Sequence, residues 1–173
     1  MNNNFYNKIL SVLILTLLSF GANAEDNKEV NKHEYNFYIG NFDFSDDKQK
    51  AILIGFQHQN NDLERSTFLG NVSPITGGFM TVNSAVYIYT GIEWNYKISD
   101  KLKFTPSFAP GLYHKGDGKD LGHILEFKTE LQASYSFSNN TSIGMSYNHI
   151  SNASLGDKNP GANSYMFNFI KNF

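Results

Sequence analysis

The 173-residue sequence contains no cysteine and carries little net charge, with a formal value of −2 at pH 7. Without cysteine the chain cannot form disulfides, use a thiol nucleophile or hold zinc through thiolates. The nearly balanced charge argues against a nucleic-acid partner. The chain also lacks an apolar run of the ~20 residues that a membrane-spanning helix needs. The fold must therefore be held together by a cooperative sheet or core.

The start of the chain is typical of a secretory signal. Lys8 is the only charge before the apolar segment Ile9–Phe20, and Ala22-Asn23-Ala24 is a small-x-small cleavage motif. We predict cleavage after the last of these alanines, which makes the first 24 residues a signal peptide. The charged, Asn-rich stretch 25–34 is predicted to be flexible. The remaining residues, 35–173, have a length that suits one domain.

Aromatic residues and glycine are abundant, with 15 Phe, 10 Tyr and 14 Gly, which favours an all-β barrel over a helical protein. Large apolar residues alternate with small or polar ones in eight runs, the period-two pattern of strands. The predicted strands are 35–44, 50–58, 63–73, 84–97, 101–113, 122–137, 141–153 and 162–173.

The connections between these runs alternate in length. Short polar turns are predicted at 59–62, 98–100 and 138–140, and longer loops at 45–49, 73–83, 114–121 and 154–161. This alternation is typical of outer-membrane barrels, which have short periplasmic turns and longer external loops.

Each run separates an apolar face from a polar one. The charged face of the sixth run carries Glu126, Lys128 and Glu130, which with Glu93 are predicted to form a polar network inside the barrel. Alternation alone also fits a soluble lipocalin-like barrel. However, the chain ends in an aromatic run closed by Phe173, and no charge interrupts the apolar faces before Lys171. We therefore predict an eight-stranded antiparallel transmembrane β-barrel of the bacterial outer membrane.

A histidine and a serine stand two residues apart near the end of the seventh run. His149 and Ser151 share one face of a strand, roughly 7 Å apart along the chain. His149 can therefore serve as general base for a Ser151 nucleophile. If the last two runs pair so that Phe173 lies opposite Asn139, Asn163 lies beside His149, with about 5 Å between their Cβ atoms. Asn163 is then the candidate orienting group.

The motif His149-x-Ser151-Asn152-Ala153 is followed by an Asn-Pro-Gly turn and by a polar residue fourteen positions after the histidine. This pattern resembles the C-terminal signature of the lipid A 3-O-deacylase family, the PagL-type outer-membrane esterases. The resemblance implies that the Asn152 side chain and the backbone N–H near Ala153 form the oxyanion hole.

A second stretch, Gly111–Gly122 followed by Leu125–Phe127, is also similar to this family, so the matches span roughly residues 105–173. The N-terminal half is similar only in layout. The chain departs from the family at Asn163, where the well-studied members carry a glutamate.

The apolar face of the seventh run continues to His149 and Ser151, so both are predicted to face outward, at the level of the outer leaflet. Lipid A lies in that leaflet and bears ester-linked acyl chains. We therefore predict a serine-type carboxylic ester hydrolase that acts on lipid A in lipopolysaccharide, with Asn163 as third member and with no metal or cofactor. A homodimer is compatible with this reading. The alternatives are a non-catalytic outer-membrane barrel and a soluble lipocalin-like carrier.

The loops carry further charged residues. Asp117, Asp120 and Asp157 are interpreted as solvated acids, although one of them could replace the missing glutamate. His114 and His123 are interpreted as surface residues, since two histidines are too few for a metal site. Three loop lysines, Lys115, Lys119 and Lys158, could meet lipid phosphates but are interpreted as solvated.

Overall fold

The computed structural model describes residues 32–173. The predicted signal peptide, its cleavage after Ala24 and most of the flexible segment 25–34 lie outside the described residues. His33 and Glu34 are described, and they begin the first strand, two residues before the predicted start.

Ten strands make up nearly all of the regular structure in this part of the chain. They are β1 (His33–Phe42), β2 (Ala51–Asn60), β3 (Arg65–Thr67), β4 (Gly70–Thr81), β5 (Val86–Trp94), β6 (Tyr96–Lys97), β7 (Leu102–His114), β8 (Leu125–Ser138), β9 (Thr141–Ser151) and β10 (Ala162–Asn172). One 3₁₀ turn, Asn61–Leu63, follows β2. Between residues 32 and 173 no helix is long and apolar enough to cross a membrane.

The eight long strands form one closed antiparallel sheet in the cyclic order β1, β2, β4, β5, β7, β8, β9 and β10. The pairing of β1 with β10 joins the two ends of the described chain and closes the ring. Short β6 continues β5 beside β7, and short β3 extends the sheet beside the start of β4. The predicted eight-stranded antiparallel barrel is confirmed.

The third long strand differs from the prediction of 63–73, because β4 continues from Gly70 to Thr81. Gly77 and Gly78 were interpreted as loop residues, yet both are paired in the sheet. A Cβ at Gly77 would lie 2.7 Å from the hydroxyl of Tyr89, so glycine makes room there for a tyrosine that fills the barrel. As a result, the loop predicted at 73–83 shrinks to residues 82–85, and the short turn predicted at 59–62 lengthens to residues 61–69.

The barrel holds its charged and polar side chains inside, together with an apolar cluster that includes Phe42, Leu53 and Ile75, and its exterior is apolar. Along β5, Tyr87 and Glu93 are fully buried, whereas Ile88 between them is 63% exposed. The same alternation occurs in β8, where Lys128 is buried and Leu131 is half exposed. A soluble lipocalin-like barrel would have the opposite arrangement, so this alternative is wrong and the transmembrane arrangement is confirmed.

Hydrogen bonds join the polar side chains inside. The Glu93 carboxylate accepts from Gln57 at 3.0 Å and from Gln59 at 3.2 Å. Lys128 donates to Glu130 at 3.2 Å and lies 4.1 Å from the ring centre of Tyr89. This filling leaves a packed interior rather than a pore. Glu126 is also buried, but neither of its carboxyl oxygens has a hydrogen-bond partner among residues 32–173, so it does not join the predicted network.

We expect the purified protein to behave as an integral membrane barrel, because its apolar exterior needs lipid or detergent. In detergent it should give a β-sheet circular dichroism spectrum, and its gel band should shift when the sample is boiled. Sodium carbonate should leave it in the membrane pellet. Release by carbonate or by high salt would contradict the transmembrane arrangement.

Candidate active site

The candidate catalytic residues lie near the end of β9, at the rim of the barrel opposite the two ends of the described chain. His149 and Ser151 are part-buried, and they alternate with the buried side chains of Asn148 and Ile150. They continue the exposed side of β9 that carries Met145. Both side chains thus belong to the exterior of the barrel, as predicted.

Asn163 lies directly opposite His149 in the antiparallel pair of β9 and β10. The predicted register is confirmed, because β10 stays in register as far as Lys171 opposite Thr141. His149 Nδ1 and Asn163 Oδ1 are 2.8 Å apart. An amide oxygen only accepts hydrogen bonds, so in this arrangement Nδ1 carries the hydrogen and Nε2 has a free lone pair.

An aromatic cluster lies beside this pair, and one of its members is hydrogen-bonded to Asn163. The Tyr147 hydroxyl donates to Asn163 Oδ1 at 2.8 Å, so the same oxygen accepts two hydrogen bonds. Phe44 stacks on Tyr165 with ring centres 4.3 Å apart, and Tyr165 in turn lies 5.4 Å from Tyr147. Through Tyr147 the His149–Asn163 pair is thus connected to an aromatic cluster that includes Phe44 and Tyr165.

Ser151 is the last residue of β9 and pairs with Phe127 of β8. Its hydroxyl makes no hydrogen bond within residues 32–173, to His149 or to any other group. Catalytic hydrogen bonds are often long or poorly aligned before substrate binds, and a free hydroxyl two positions from the imidazole remains available as a nucleophile.

Gly161 supports the other side of the imidazole. A Cβ at this position would lie 2.9 Å from His149 Cε1, and the backbone φ is +61°. Glycine meets both demands, because it adopts positive φ readily and leaves room for the ring. The Asn-Pro-Gly turn noted in the sequence therefore positions the histidine as well as reversing the chain.

Asn152 is fully buried beneath the loop that joins β9 to β10, residues 152–161. Its side-chain amide donates to the carbonyls of Leu121 and Lys158, at 2.8 and 2.9 Å. Its Oδ1 accepts from the Ser154 N–H at 2.9 Å. The side chain is thus committed to the loop, and the structure does not present it as a free oxyanion donor.

The next residue, Ala153, is exposed, and its backbone has a φ of +53°. Its N–H makes no hydrogen bond to any group in the described range. Because Ser154 also has positive φ, at +65°, two successive residues lie in the left-handed region. Such conformations are strained for residues with a side chain, and they persist where neighbouring contacts fix them. Here the Asn152 hydrogen bonds fix the loop.

Several of the other loop residues singled out in the sequence have local partners. Asp120 pairs with Lys158 at 3.0 Å and with Lys115 at 3.7 Å. The Lys158 ammonium and the Gly122 N–H hold the pKa of the Asp120 carboxyl below its usual range. His114 accepts from the Gly116 N–H, and His123 from the Leu125 N–H. In the described structure the imidazole is hydrogen-bonded to Asn163, and none of the three predicted loop acids contacts it.

An acid that the sequence did not reveal lies behind Asn163. Asp43 is fully buried, its Oδ1 accepts from the Asn163 backbone N–H at 3.3 Å, and Lys119 pairs with its Oδ2 at 2.5 Å. Lys119 is therefore a buried partner rather than a solvated lysine. Asp43 is 120 residues from Asn163 in sequence, and only the pairing of β1 with β10 brings them together. No local pattern points to it.

The fold and the site together define a class. This is an outer-membrane barrel with a candidate Ser–His–Asn hydrolase site on its exterior, near the rim opposite the described chain ends. The sequence model of the PagL family, lipid A 3-O-deacylase, matches residues 58–172, and the chain belongs to this family. The resemblance noted in the sequence is thereby confirmed, and the match extends well into the N-terminal half.

Solved structures agree on the fold. The crystal structure of the outer membrane enzyme PagL is similar with a TM-score of 0.61 and 18% identity, covering 80% of this chain and 98% of that chain. The crystal structure of Neisserial surface protein A is similar with a TM-score of 0.55 and 9% identity, covering 82% of this chain and 96% of that chain. A de novo designed transmembrane β-barrel is similar with a TM-score of 0.55 and 11% identity, covering 84% of this chain and 98% of that chain. No curated protein matches the chain in sequence. The family supports an outer-membrane location, and the solved structures agree with the barrel fold.

We expect Asn152→Ala to loosen the loop 152–161, because it leaves the buried Leu121 carbonyl and the part-buried Lys158 carbonyl without this donor. Each unpaired group costs about 1–3 kcal/mol, so opening of the loop should become at least about tenfold more frequent. Amide hydrogen exchange and limited proteolysis of the folded protein in detergent would measure this. Asp157→Ala, in the same loop but exposed, is the control. Equal protection in both variants would show that Asn152 does not hold the loop.

Proposed function

We propose that this chain hydrolyses an ester-linked acyl chain of lipid A, in the manner of a 3-O-deacylase, with Ser151 as nucleophile and His149 as general base. The observation that carries this proposal is the hydrogen bond of 2.8 Å between His149 Nδ1 and Asn163 Oδ1. It leaves the Nε2 lone pair free to accept the serine proton. Family membership supplies the substrate class, and the geometry supplies the roles of the residues.

The reaction proceeds in two balanced steps. His149 Nε2 takes the proton of the Ser151 hydroxyl while the serine oxygen attacks the ester carbonyl, and the tetrahedral intermediate collapses to an acyl-enzyme. The sugar hydroxyl leaves with the proton that His149 returns. A water molecule, activated by the same imidazole, then releases the fatty acid and restores the serine. Asn163 holds the ring in the Nδ1–H form throughout.

The oxyanion of each tetrahedral intermediate needs a fixed donor. We assign this role to the backbone N–H of Ala153, which has no hydrogen-bond partner in the described residues. The Asn152 side chain, for which the resemblance implied the same role, acts indirectly, because both of its amide hydrogens are donated to carbonyls. Its contribution is to fix the loop that carries the Ala153 N–H.

The position of the site suits a lipid substrate. It lies on the exterior of the barrel, at the rim opposite the described chain ends, and exposed apolar side chains such as Met145 and Phe167 lie along the same strands. If the chain ends are periplasmic, this rim is at the outer leaflet, where lipid A resides. All the proposed groups belong to one chain, and the comparisons give no support for a homodimer.

We expect Ser151→Ala to abolish ester cleavage and leave the barrel folded, because its hydroxyl makes no hydrogen bond in the described structure. His149→Asn should have the same effect. Loss of a triad member typically lowers turnover by several orders of magnitude. Mass spectrometry of lipid A from cells that express each variant measures the cleavage, and the heat-shifted gel band confirms folding. Losses below about tenfold would show that Ser151 and His149 are not the catalytic pair, and a parent that cleaves no ester would favour a non-catalytic barrel.

Asn163 sets how fast the enzyme works. An amide orients the imidazole but adds no negative charge, and in the serine-protease template the change from acid to amide costs about 10⁴ in turnover when the wrong tautomer results. We expect a smaller deficit here, because the Asn163 amide is oriented to support the Nδ1–H form. Accordingly, Asn163→Glu should raise turnover at neutral pH, and Asn163→Ala should lower it. If Asn163→Ala has the same turnover as the parent while Asp120→Ala or Asp157→Ala is inactive, the group that orients His149 is a loop acid and not Asn163.

A further inference from the structure

The third member of the site is a neutral amide, and its orientation decides whether His149 can act as a base. The two ends of an amide have nearly the same shape but opposite hydrogen-bonding character. With Oδ1 toward the imidazole, Nδ1 carries the hydrogen and Nε2 accepts. With Nδ2 toward the imidazole, Nδ1 must accept and Nε2 carries the hydrogen, which blocks proton transfer from Ser151. Some group must therefore select the first orientation.

The far end of the amide contacts the loop that joins β1 to β2, residues 43–50. Asn163 Nδ2 donates to Ser45 Oγ at 3.3 Å, and Ser45 Oγ donates to Asp43 Oδ1 at 3.3 Å. A carboxylate only accepts hydrogen bonds. The single hydroxyl hydrogen of Ser45 is thus committed to Asp43, and toward Asn163 the serine presents only a lone pair. This contact requires the NH₂ end of the amide.

We propose that Asp43 and Ser45 are positioning residues that fix the orientation of the Asn163 amide and, through it, the Nδ1–H tautomer of His149. Four groups then form one directional series: the Asp43 carboxylate, the Ser45 hydroxyl, the Asn163 amide and the His149 imidazole. The acid that stabilises the base is present in this chain, but it lies two hydrogen bonds behind the amide. The catalytic consequence rests on the proposed function, whereas the tautomer does not.

Burial holds the acid end of this series, whereas Ser45 in its middle is exposed. Asp43 is fully buried and paired with Lys119, which is 12% exposed, through the oxygen that Ser45 does not use. Removing one partner of a buried ion pair is strongly destabilising, so the Asp43 carboxylate stays paired with Lys119. Its backbone φ is +50°, a conformation that Asn adopts as readily as Asp. Asp43→Asn therefore removes the charge without a new demand on the backbone.

The first measurement is the tautomer of His149, which does not depend on activity. The chain has five histidines, so ¹⁵N-histidine labelling of the protein in detergent, with His149→Asn for assignment, can distinguish the two ring nitrogens. We expect the Nδ1–H form in the parent. Asp43→Asn and Ser45→Ala should each convert a measurable fraction to the Nε2–H form, because the amide can then turn. Asp46→Asn is the matched control, since this acid in the same loop contacts Lys119 at 3.8 Å but has no contact with Asn163.

The second measurement separates orientation from simple loop damage. In an Asn163→Glu background the group beside His149 is a carboxylate with two equivalent acceptor oxygens, so no orientation needs to be selected. Asp43→Asn should therefore change neither the tautomer nor the turnover in that background. In the parent background it should lower kcat about tenfold and leave KM within about twofold, as expected for a lost orienting hydrogen bond.

The outcomes are distinct. An Nε2–H tautomer in the parent, or an unchanged Nδ1–H tautomer in folded Asp43→Asn and Ser45→Ala, overturns the inference. An equal loss of turnover in the Asn163→Glu background overturns it too, because the loop itself would then be at fault. Should Asp43→Asn fail to fold, Ser45→Ala, which keeps every charge, decides alone. A parent without esterase activity, or an active Ser151→Ala, refutes the proposed function and leaves the tautomer result to stand by itself.

Discussion

The barrel depends on one constraint, which is that hydrocarbon offers no partner for a backbone N–H or C=O group. A sheet with two free edges would leave a row of such groups exposed to lipid, so the pairing of β1 with β10 is a requirement of the environment. Closure in turn sends alternate side chains to opposite sides. The interior receives Glu93, Lys128 and Glu130, which must satisfy one another there, and the exterior becomes apolar.

This inside–outside division also explains where the chemistry lies. A hydrolase of a soluble fold usually encloses its substrate in a cleft, whereas here lipid surrounds the protein and the proposed catalytic groups lie on its outer surface. His149 and Ser151 occupy the exterior pattern of β9, close to the end of the strand, where apolar surface gives way to polar loops. An acyl chain can lie along the barrel while its ester reaches the rim. The rim also admits the water that the second step consumes.

Patterns of period two carried most of the sequence-level prediction. They predicted the barrel and which of its faces is apolar. They also predicted the pairing of His149 with Asn163, because matching the turn before β9 with the end of β10 fixes the register of that hairpin. The same reasoning failed for β4, since Gly77 and Gly78 resemble a loop until the Tyr89 side chain that needs the space at Gly77 is known. The role of Asn152 inside its loop was equally hidden, because its partners, such as Leu121, come from another connection.

Asp43 shows most clearly what sequence patterns cannot predict. It belongs to the first connection of the chain and Asn163 to the last strand, and no spacing rule relates them. A loop acid near the barrel rim has many solvated counterparts in this sequence, including Asp46 and Asp47, so its burial could not be inferred from composition. Only the three-dimensional closure distinguishes the acid that supports the site from its neighbours.

The pairing of β1 with β10 therefore has a consequence for the timing of activity during assembly. His149 and Asn163 meet as soon as the last hairpin forms, but Asp43 and Ser45 arrive only when the first strand docks against the last. If the amide depends on them for its orientation, a chain whose ring is still open carries a weaker base. Hydrolysis then reaches its full rate only once the ring is sealed.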